Sequence, residues 1–177
     1  MVVTDSEELA ERLRSLRNHG AIREGNRISF LAPGLNYRMT EVQAALGLCQ
    51  MGKLHDLTRR REEIASYYRS LLSDLPVSFP LAPPGYSHTY QSLVLLLHPP
   101  MERDRVIRRL WEMGVESTIG TYAIHREPYY RKKYGYREGD LPNSFSAFER
   151  SLAIPIHPGM SDGDVERVSH ALRRVMP

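Results

Sequence analysis

Residues 34–47 read Gly34-Leu35-Asn36-Tyr37-Arg38-Met39-Thr40-Glu41-Val42-Gln43-Ala44-Ala45-Leu46-Gly47, and they predict a polar loop that leads directly into a helix. Thr40 and Gln43 have the spacing of a capping box, so the helix should begin near Met39–Glu41. The triplet Asn36-Tyr37-Arg38 stands just before this start, where the positive end of the helix dipole attracts anions. On residue types alone, the triplet also suits a solvated loop whose arginine pairs with its neighbours.

The helix that follows this loop has an apolar face with small residues beside it. Val42, Leu46 and Cys49 recur at helical spacing, and Ala45 and Gly47 permit the close approach of another backbone. Such a face suits tight packing, either within the chain or across a dimer. We expect Cys49 to be an ordinary core residue.

Composition indicates a soluble protein of the cytoplasm. The 177 residues carry 24 Lys and Arg against 21 Asp and Glu, a net charge of +3, which is too small an excess to argue for nucleic acid. The single cysteine excludes an internal disulfide and fits a reducing compartment. No apolar run has membrane-spanning length, and Asp5, Glu7 and Glu8 stand where a signal peptide would need basic and then apolar residues. We expect no membrane partner.

Further along the chain, strands and helices alternate. Residues 21–35 show no clear period and are expected to form a polar surface loop. A long helix should lead out to Pro76, followed by a Pro-rich linker over 74–85. Residues 89–97 are the best strand in the sequence, and Ser161 with Asp164 predicts the capped start of a last helix. We therefore expect an α/β (α+β) fold with long helices and a small C-terminal domain containing a short sheet.

Residues 121–140 interleave aromatic and basic side chains. Aromatic rings and cations can together clamp single-stranded nucleic acid, although the remaining sequence does not favour that partner. The same composition also suits a loop whose long side chains cover a domain edge.

Three stretches resemble successive landmarks of the DegT/StrS-type sugar aminotransferases. They are Leu16-Arg17-Asn18-His19-Gly20, the stretch 34–47, and Arg60-Arg61-Glu62-Glu63-Ile64-Ala65-Ser66-Tyr67-Tyr68. Enzymes of this family have fold type I and use pyridoxal phosphate (PLP) to aminate keto sugars carried on nucleotides. The resemblance runs from Met1 to Pro177. It implies that 1–75 is a remnant of the large PLP-binding domain with its long linking helix, and that 76–177 is the small C-terminal α/β domain.

The resemblance also implies roles for particular residues. In family dimers, the Asn of the Asn-Tyr-Arg motif reaches the cofactor phosphate of the other subunit, and this role falls on Asn36, with Arg38 beside it as a second cofactor-binding residue. The segment 122–130 is similar to the family's Tyr-Pro-x-x-His…Pro-x-Tyr stretch that lines the sugar site, with Ala123 in place of the usual Pro. The implied substrate-binding residues are His19, Tyr37, Tyr122, His125 and Tyr129.

The family's catalytic lysine has no counterpart in this sequence. The three lysines are Lys53, Lys132 and Lys133, and none has the family's context for the Schiff-base lysine, which is expected upstream of Met1. We therefore expect no catalytic residue in this chain, which should need a second copy or a separately encoded N-terminal half, together with PLP, a nucleotide sugar and an amino-acid donor. A non-catalytic nucleotide-sugar-binding or dimerisation module is the alternative, and a dehydratase relative also stays open. No motif has metal-ligand spacing.

Overall fold

The computed structural model describes residues 2–176, and the chain divides into two compact units, Met1–Lys53 and Leu54–Pro177. The first unit contains helix α1 (Glu7–Arg17), strands β1 (Ala21–Glu24) and β2 (Arg27–Phe30), and helix α2 (Glu41–Met51). The family resemblance implies a different division, into a remnant of the large domain (1–75) and a small C-terminal domain (76–177), and this division stays a prediction.

Strands β1 and β2 form an antiparallel hairpin, so the expectation of an irregular loop over 21–35 was wrong. Ala21 pairs with Phe30 and Glu24 with Arg27, and Gly25 takes the left-handed backbone angle (φ 60°) that the tight turn requires. No side chain of either strand is fully buried, although Ile28 and Phe30 of β2 alternate with the polar residues Arg27 and Ser29 in the pattern of a strand.

Helix α2 begins as predicted, with Thr40 as its N-cap in a complete capping box. The Gln43 N–H donates to the Thr40 hydroxyl at 3.2 Å, and the Thr40 N–H donates to the Gln43 side-chain oxygen at 3.0 Å. The helix has no buried residue, and Cys49 is exposed, which corrects the expectation that Cys49 lies in a core. Within the described residues nothing covers the apolar face of α2.

The second unit packs helices on an antiparallel sheet of four strands in the order β3-β4-β6-β5. The strands are β3 (Val77–Ser78), β4 (Leu93–Leu97), β5 (Thr118–Ile119) and β6 (Ser151–Ile154), and the helices are α3 (Leu54–Leu71), α4 (Arg103–Glu112), α5 (Pro128–Tyr134), α6 (Pro142–Arg150) and α7 (Asp162–Val175), with a 3₁₀ turn at Ile124–Arg126. Strand β4 is shorter than the predicted 89–97, because Tyr90 has a positive φ of 47° that interrupts extended backbone.

The core of the second unit lies between its sheet and helices α3, α4 and α7. Alternate residues of β4, Leu93, Leu95 and Leu97, are fully buried, as the period-2 pattern of a strand requires. Tyr68 of α3 is fully buried, and its hydroxyl donates to the Pro155 carbonyl oxygen at 3.0 Å. The core is therefore mainly apolar, and the buried Tyr68 hydroxyl has a hydrogen-bond partner, whereas the buried Ser169 hydroxyl of α7 has none among the described residues.

Helix α7 begins at the predicted capping box. The Asp164 N–H donates to the Ser161 hydroxyl at 3.2 Å, and the Ser161 N–H donates to the Asp164 carboxylate at 2.9 Å. The Ser161 hydroxyl also donates to the Asp164 carboxylate, at 2.7 Å, and this bond, together with the one from the Ser161 N–H, lowers the pKa of Asp164. Across residues 2–176, no helix has both the length and the apolar character that crossing a bilayer demands.

Candidate functional site

Backbone hydrogen bonds join two loops of the first unit. The His19 N–H donates to the Leu35 carbonyl oxygen at 3.0 Å, and the Tyr37 N–H donates to the Arg17 carbonyl oxygen at 2.9 Å. Asn18 and Asn36 form an isolated antiparallel bridge between them. His19 and the triplet 36–38 therefore lie on adjoining backbone segments.

Two glycines permit this close approach. A Cβ at Gly34 would lie 2.1 Å from the Gly20 nitrogen, and a Cβ at Gly20 would lie 1.7 Å from the Ala32 carbonyl oxygen. Gly20 also has a left-handed φ of 71°, and His19 precedes it with a φ of 61°. Since both contacts are with backbone atoms, no side-chain rearrangement could relieve them.

The triplet presents hydrogen-bond donors just before α2. The Arg38 Nε–H donates to the Asn36 side-chain oxygen at 3.0 Å, so the Asn36 oxygen is engaged and its amide N–H groups remain for an acceptor. Tyr37 is 73% exposed. A ligand at this place meets an amide, a guanidinium and a phenol next to a helix N-terminus, and this set matches the oxygens of a phosphate.

Open depressions flank the triplet on the surface of the first unit. One, of about 550 Å³, is lined by Asn36, Tyr37, Arg38, Met39 and Gln43. Another, of about 630 Å³, brings Arg17 and Arg23 to the same surface as Arg38. Sequence reasoning missed Arg23 as a candidate because its segment was expected to be an irregular loop. The signal that could have found it is the Gly25-Asn26 turn, which predicts a hairpin.

In the second unit, three predicted site residues lie on the segment between β5 and the end of α5. Tyr122 is exposed, with its ring centre 6.3 Å from that of Phe148. Tyr129 is the second residue of α5 and is exposed, whereas His125 lies in the 3₁₀ turn and is buried. Two of the three side chains are therefore open to a ligand.

Arg126 fastens this segment to α6. Its guanidinium lies 2.8 Å from the Glu138 carboxylate and 3.6 Å from that of Glu149. It also lies over the Phe145 ring, 4.6 Å from the ring centre. These contacts hold the 3₁₀ turn, which includes His125, against α6.

His125 is 3% exposed, and neither ring nitrogen has a hydrogen-bond partner among the described residues. The ring of Tyr136 meets it edge-on at 6.5 Å between centres. An unsatisfied buried ring nitrogen costs about 1–3 kcal/mol. The described residues supply no polar partner that would remove this cost for His125. Elsewhere in residues 2–176, no group of three or more His, Cys, Asp or Glu side chains is arranged to hold a metal ion.

The fold and these sites can be compared with known proteins. A family model for the DegT/DnrJ/EryC1/StrS aminotransferase family matches residues 1–173. The chain belongs to this family. The resemblance stated from the three sequence stretches is thus confirmed.

Individual members of the family match nearly the whole chain. The spore coat polysaccharide biosynthesis protein SpsC of Bacillus subtilis (strain 168) is 34% identical over 190 residues, which cover 99% of this chain and 49% of SpsC. The aminotransferase TlmJ from Streptoalloteichus hindustanus is 32% identical with a TM-score of 0.83, covering 97% of this chain and 45% of TlmJ. A DegT DnrJ EryC1 StrS aminotransferase from Brucella abortus is 29% identical with a TM-score of 0.83, and the match covers 98% of this chain and 45% of the Brucella protein.

This chain spans about half the length of the curated relatives that it matches. The predicted fold class is confirmed, because the mixed helix and sheet structure superposes on aminotransferases over about half of their length. Members of the family are PLP-dependent sugar aminotransferases.

The residues of this chain fit one part of that cofactor. The free amide N–H groups of Asn36 and the guanidinium of Arg38 suit the PLP phosphate, which accepts hydrogen bonds and donates few. When bound, PLP supplies an electron sink for the carbon that carries the amino group. Lys53 follows α2, and Lys132 and Lys133 lie in α5, so no lysine belongs to the loop pair around His19.

Proposed function

We propose that this chain serves a PLP-dependent nucleotide-sugar aminotransferase, which transfers an amino group to a keto sugar in polysaccharide or deoxysugar biosynthesis. In this proposal, Asn36 and Arg38 hold the cofactor phosphate. His19, Tyr37, Tyr122, His125 and Tyr129 bind the substrate. All of these are binding roles, and none of Lys53, Lys132 and Lys133 has the family's context for the Schiff-base lysine.

The observation that carries this proposal is the hydrogen bond from Arg38 to Asn36. The bond turns the amide oxygen towards the guanidinium and leaves only donors for a ligand, at the start of a helix whose dipole favours negative charge. An anion with several acceptor oxygens suits this arrangement, whereas a cation does not. A phosphate is such an anion, and the family's cofactor carries one.

A second copy of the chain is the partner that we propose for α2. Members of the family usually form dimers, and α2 exposes a stripe of apolar side chains, with Val42 80% and Leu46 63% exposed. Gly47 has open space around its Cα, so another backbone can approach there. Burial of this stripe between copies would remove exposed apolar surface from water. It would also bring the donors beside Asn36 to an active site shared between subunits.

The test mixes the purified chain with the lysine-bearing half of a family member and measures both retained PLP and amino transfer to a nucleotide-linked keto sugar. We expect both with the unchanged chain. Asn36→Ala should lower PLP affinity roughly 10- to 100-fold, because a hydrogen bond to a charged group is worth about 1.5–3 kcal/mol. Asn26→Ala is the matched control, since Asn26 is exposed in the hairpin turn and does not line the depression beside the triplet.

Absence of both PLP retention and amino transfer in the mixture would contradict the proposal. Equal PLP affinity in the Asn36→Ala and Asn26→Ala chains would remove Asn36 from the cofactor site. The alternative of a non-catalytic binding module predicts a different result, namely that a nucleotide sugar binds while added PLP gives no change in absorbance. A product without an amino group would instead favour a dehydratase.

A further inference from the structure

Four tyrosines at residues 128–136 form a continuous row of rings at the surface of the second unit. The tyrosine row consists of Tyr129, Tyr130, Tyr134 and Tyr136. Successive ring centres lie 5.3 Å, 6.1 Å and 6.0 Å apart, with Tyr129 edge-on to Tyr130 and Tyr130 stacked on Tyr134. Tyr129 is 61% and Tyr134 57% exposed, so the row keeps much of its aromatic surface open to a ligand.

The ammonium group of Lys133 is held against this row. Its Nζ donates to the Tyr129 hydroxyl at 3.1 Å and lies 5.4 Å from the centre of the Tyr129 ring and 5.3 Å from that of Tyr134. The Tyr129 hydroxyl accepts a hydrogen bond from the ammonium group, and the Tyr134 ring adds an attraction for the cation. Among residues 2–176, no carboxylate lies within ion-pair distance of Lys133. Two of its three N–H donors are therefore free for an anion.

We propose that the tyrosine row and Lys133 bind the nucleoside diphosphate part of the nucleotide sugar, an inference that rests on the proposed function. Lys133 contacts the diphosphate, and the exposed ring of Tyr129 or Tyr134 stacks on the base. A planar base matches an exposed aromatic face, and a diphosphate matches an ammonium that lacks a carboxylate. Residues 128–136 contain Arg131, Lys132 and Lys133 and no acidic residue, so the local charge also favours a polyanion.

The course of the row sets the direction in which the ligand lies. Its far end, Tyr136, contacts His125, which belongs to the predicted sugar site. Lys133 touches the rings of Tyr129 and Tyr134, further along the row from His125. A nucleotide sugar along the row would place its sugar towards His125, its diphosphate at Lys133 and its base on the exposed rings. The order of groups in the molecule matches the order of residues on the surface when the base stacks on Tyr129, because Tyr134 stands between Lys133 and Tyr136.

The experiment titrates the full chain with UDP and with TDP, both without a sugar, by isothermal calorimetry. Lys133→Ala should weaken binding roughly 10- to 100-fold, since it removes a charge-assisted hydrogen bond. Lys132→Ala is the matched control: it removes the same charge from the neighbouring residue, which has no tyrosine contact, and should cost less than about fivefold. Alanine at whichever of Tyr129 and Tyr134 stacks on the base should cost roughly 5- to 100-fold, and phenylalanine there should restore binding.

Three results would overturn the inference. They are equal losses from Lys132→Ala and Lys133→Ala, unchanged affinity with alanine at both Tyr129 and Tyr134, and no saturable binding at millimolar diphosphate. Binding of a single-stranded oligonucleotide in preference to both diphosphates would also overturn it. The titration needs neither PLP nor amino transfer. If the chain binds the diphosphates but the mixing test gives neither PLP retention nor amino transfer, only the proposed function is refuted. If the mixing test succeeds but no diphosphate binds, only the tyrosine-row site is refuted.

Discussion

Replacement of Gly34 by alanine probes the loop pair on which the candidate cofactor site is built. The added Cβ would lie 2.1 Å from the Gly20 nitrogen and 2.6 Å from the His19 carbonyl carbon, so the backbone must separate by about 1 Å to reach ordinary contact. That movement would break the bonds from His19 to Leu35 (3.0 Å) and from Tyr37 to Arg17 (2.9 Å). At about 0.5–1.5 kcal/mol each, their loss costs about 1–3 kcal/mol.

The assay is thermal unfolding followed by circular dichroism, together with PLP retention in the mixed sample. A protein of this size loses about 2–4 °C per kcal/mol, so Gly34→Ala should lower the melting temperature by roughly 2–12 °C and should also weaken PLP retention. Gly139→Ala is the control, because nothing lies within 4 Å of a Cβ at Gly139. Equal melting temperatures for the two variants would refute the reasoning, since the two loops could not then be in backbone contact.

Three further predictions concern other parts of the molecule. Leu46→Asp places a charge on the exposed stripe of α2 and should convert a dimer to a monomer in sedimentation velocity; a persisting dimer would mean that the interface lies elsewhere. Tyr68→Phe leaves the Pro155 carbonyl oxygen without its buried donor and should cost about 1–3 kcal/mol of unfolding free energy in urea titrations, whereas no measurable loss would contradict that hydrogen bond. Hydrogen bonding to Arg173 lowers the pKa of Asp74, so this pair stabilises the folded state above the pKa of an unfolded aspartate, and the stabilisation is lost as pH falls through the lowered pKa. Asp74→Asn should therefore flatten the fall in melting temperature between about pH 5 and pH 2, and parallel curves for the two proteins would count against it.

Two helix starts, those of α2 and α7, were predicted accurately, whereas the start of α1 after Ser6 was not. The capping boxes at Thr40 and Ser161 both occur where their spacing predicted them, because a capping box is a contact between residues three positions apart. The hairpin at 21–30 was missed because only β2 alternates polar and apolar side chains, over four residues, whereas β1 does not. The strand at 93–97 was predicted too long because the positive φ of Tyr90 leaves no mark in hydrophobicity. Contacts between residues close in the sequence could thus be predicted, whereas strand pairing and backbone angles could not.

Some features of the candidate site could likewise be predicted from the sequence, and others could not. The triplet 36–38 could be recognised as a set of donors before a helix, because residue types and a helix start are properties of a short stretch. The burial of His125 could not be predicted, and neither could the absence of a hydrogen-bond partner for its two ring nitrogens among the described residues. Both depend on the packing of Tyr136 and on the ion pairs of Arg126 with Glu138 and Glu149. Arg23 was overlooked for the related reason that its exposure beside Arg38 follows from the hairpin.

By itself, the sequence determined the family of this protein, the starts of helices α2 and α7 and the chemical types of its candidate binding residues, because each of these is carried by neighbouring residues along the chain. Only the tertiary structure decided which of those side chains meet. The bond that turns the Asn36 oxygen towards Arg38, and the two rings that hold Lys133, are contacts whose geometry depends on how the backbone folds. Composition records that these groups are present, but their distances and free donors follow from packing, and those determine what the surface can bind.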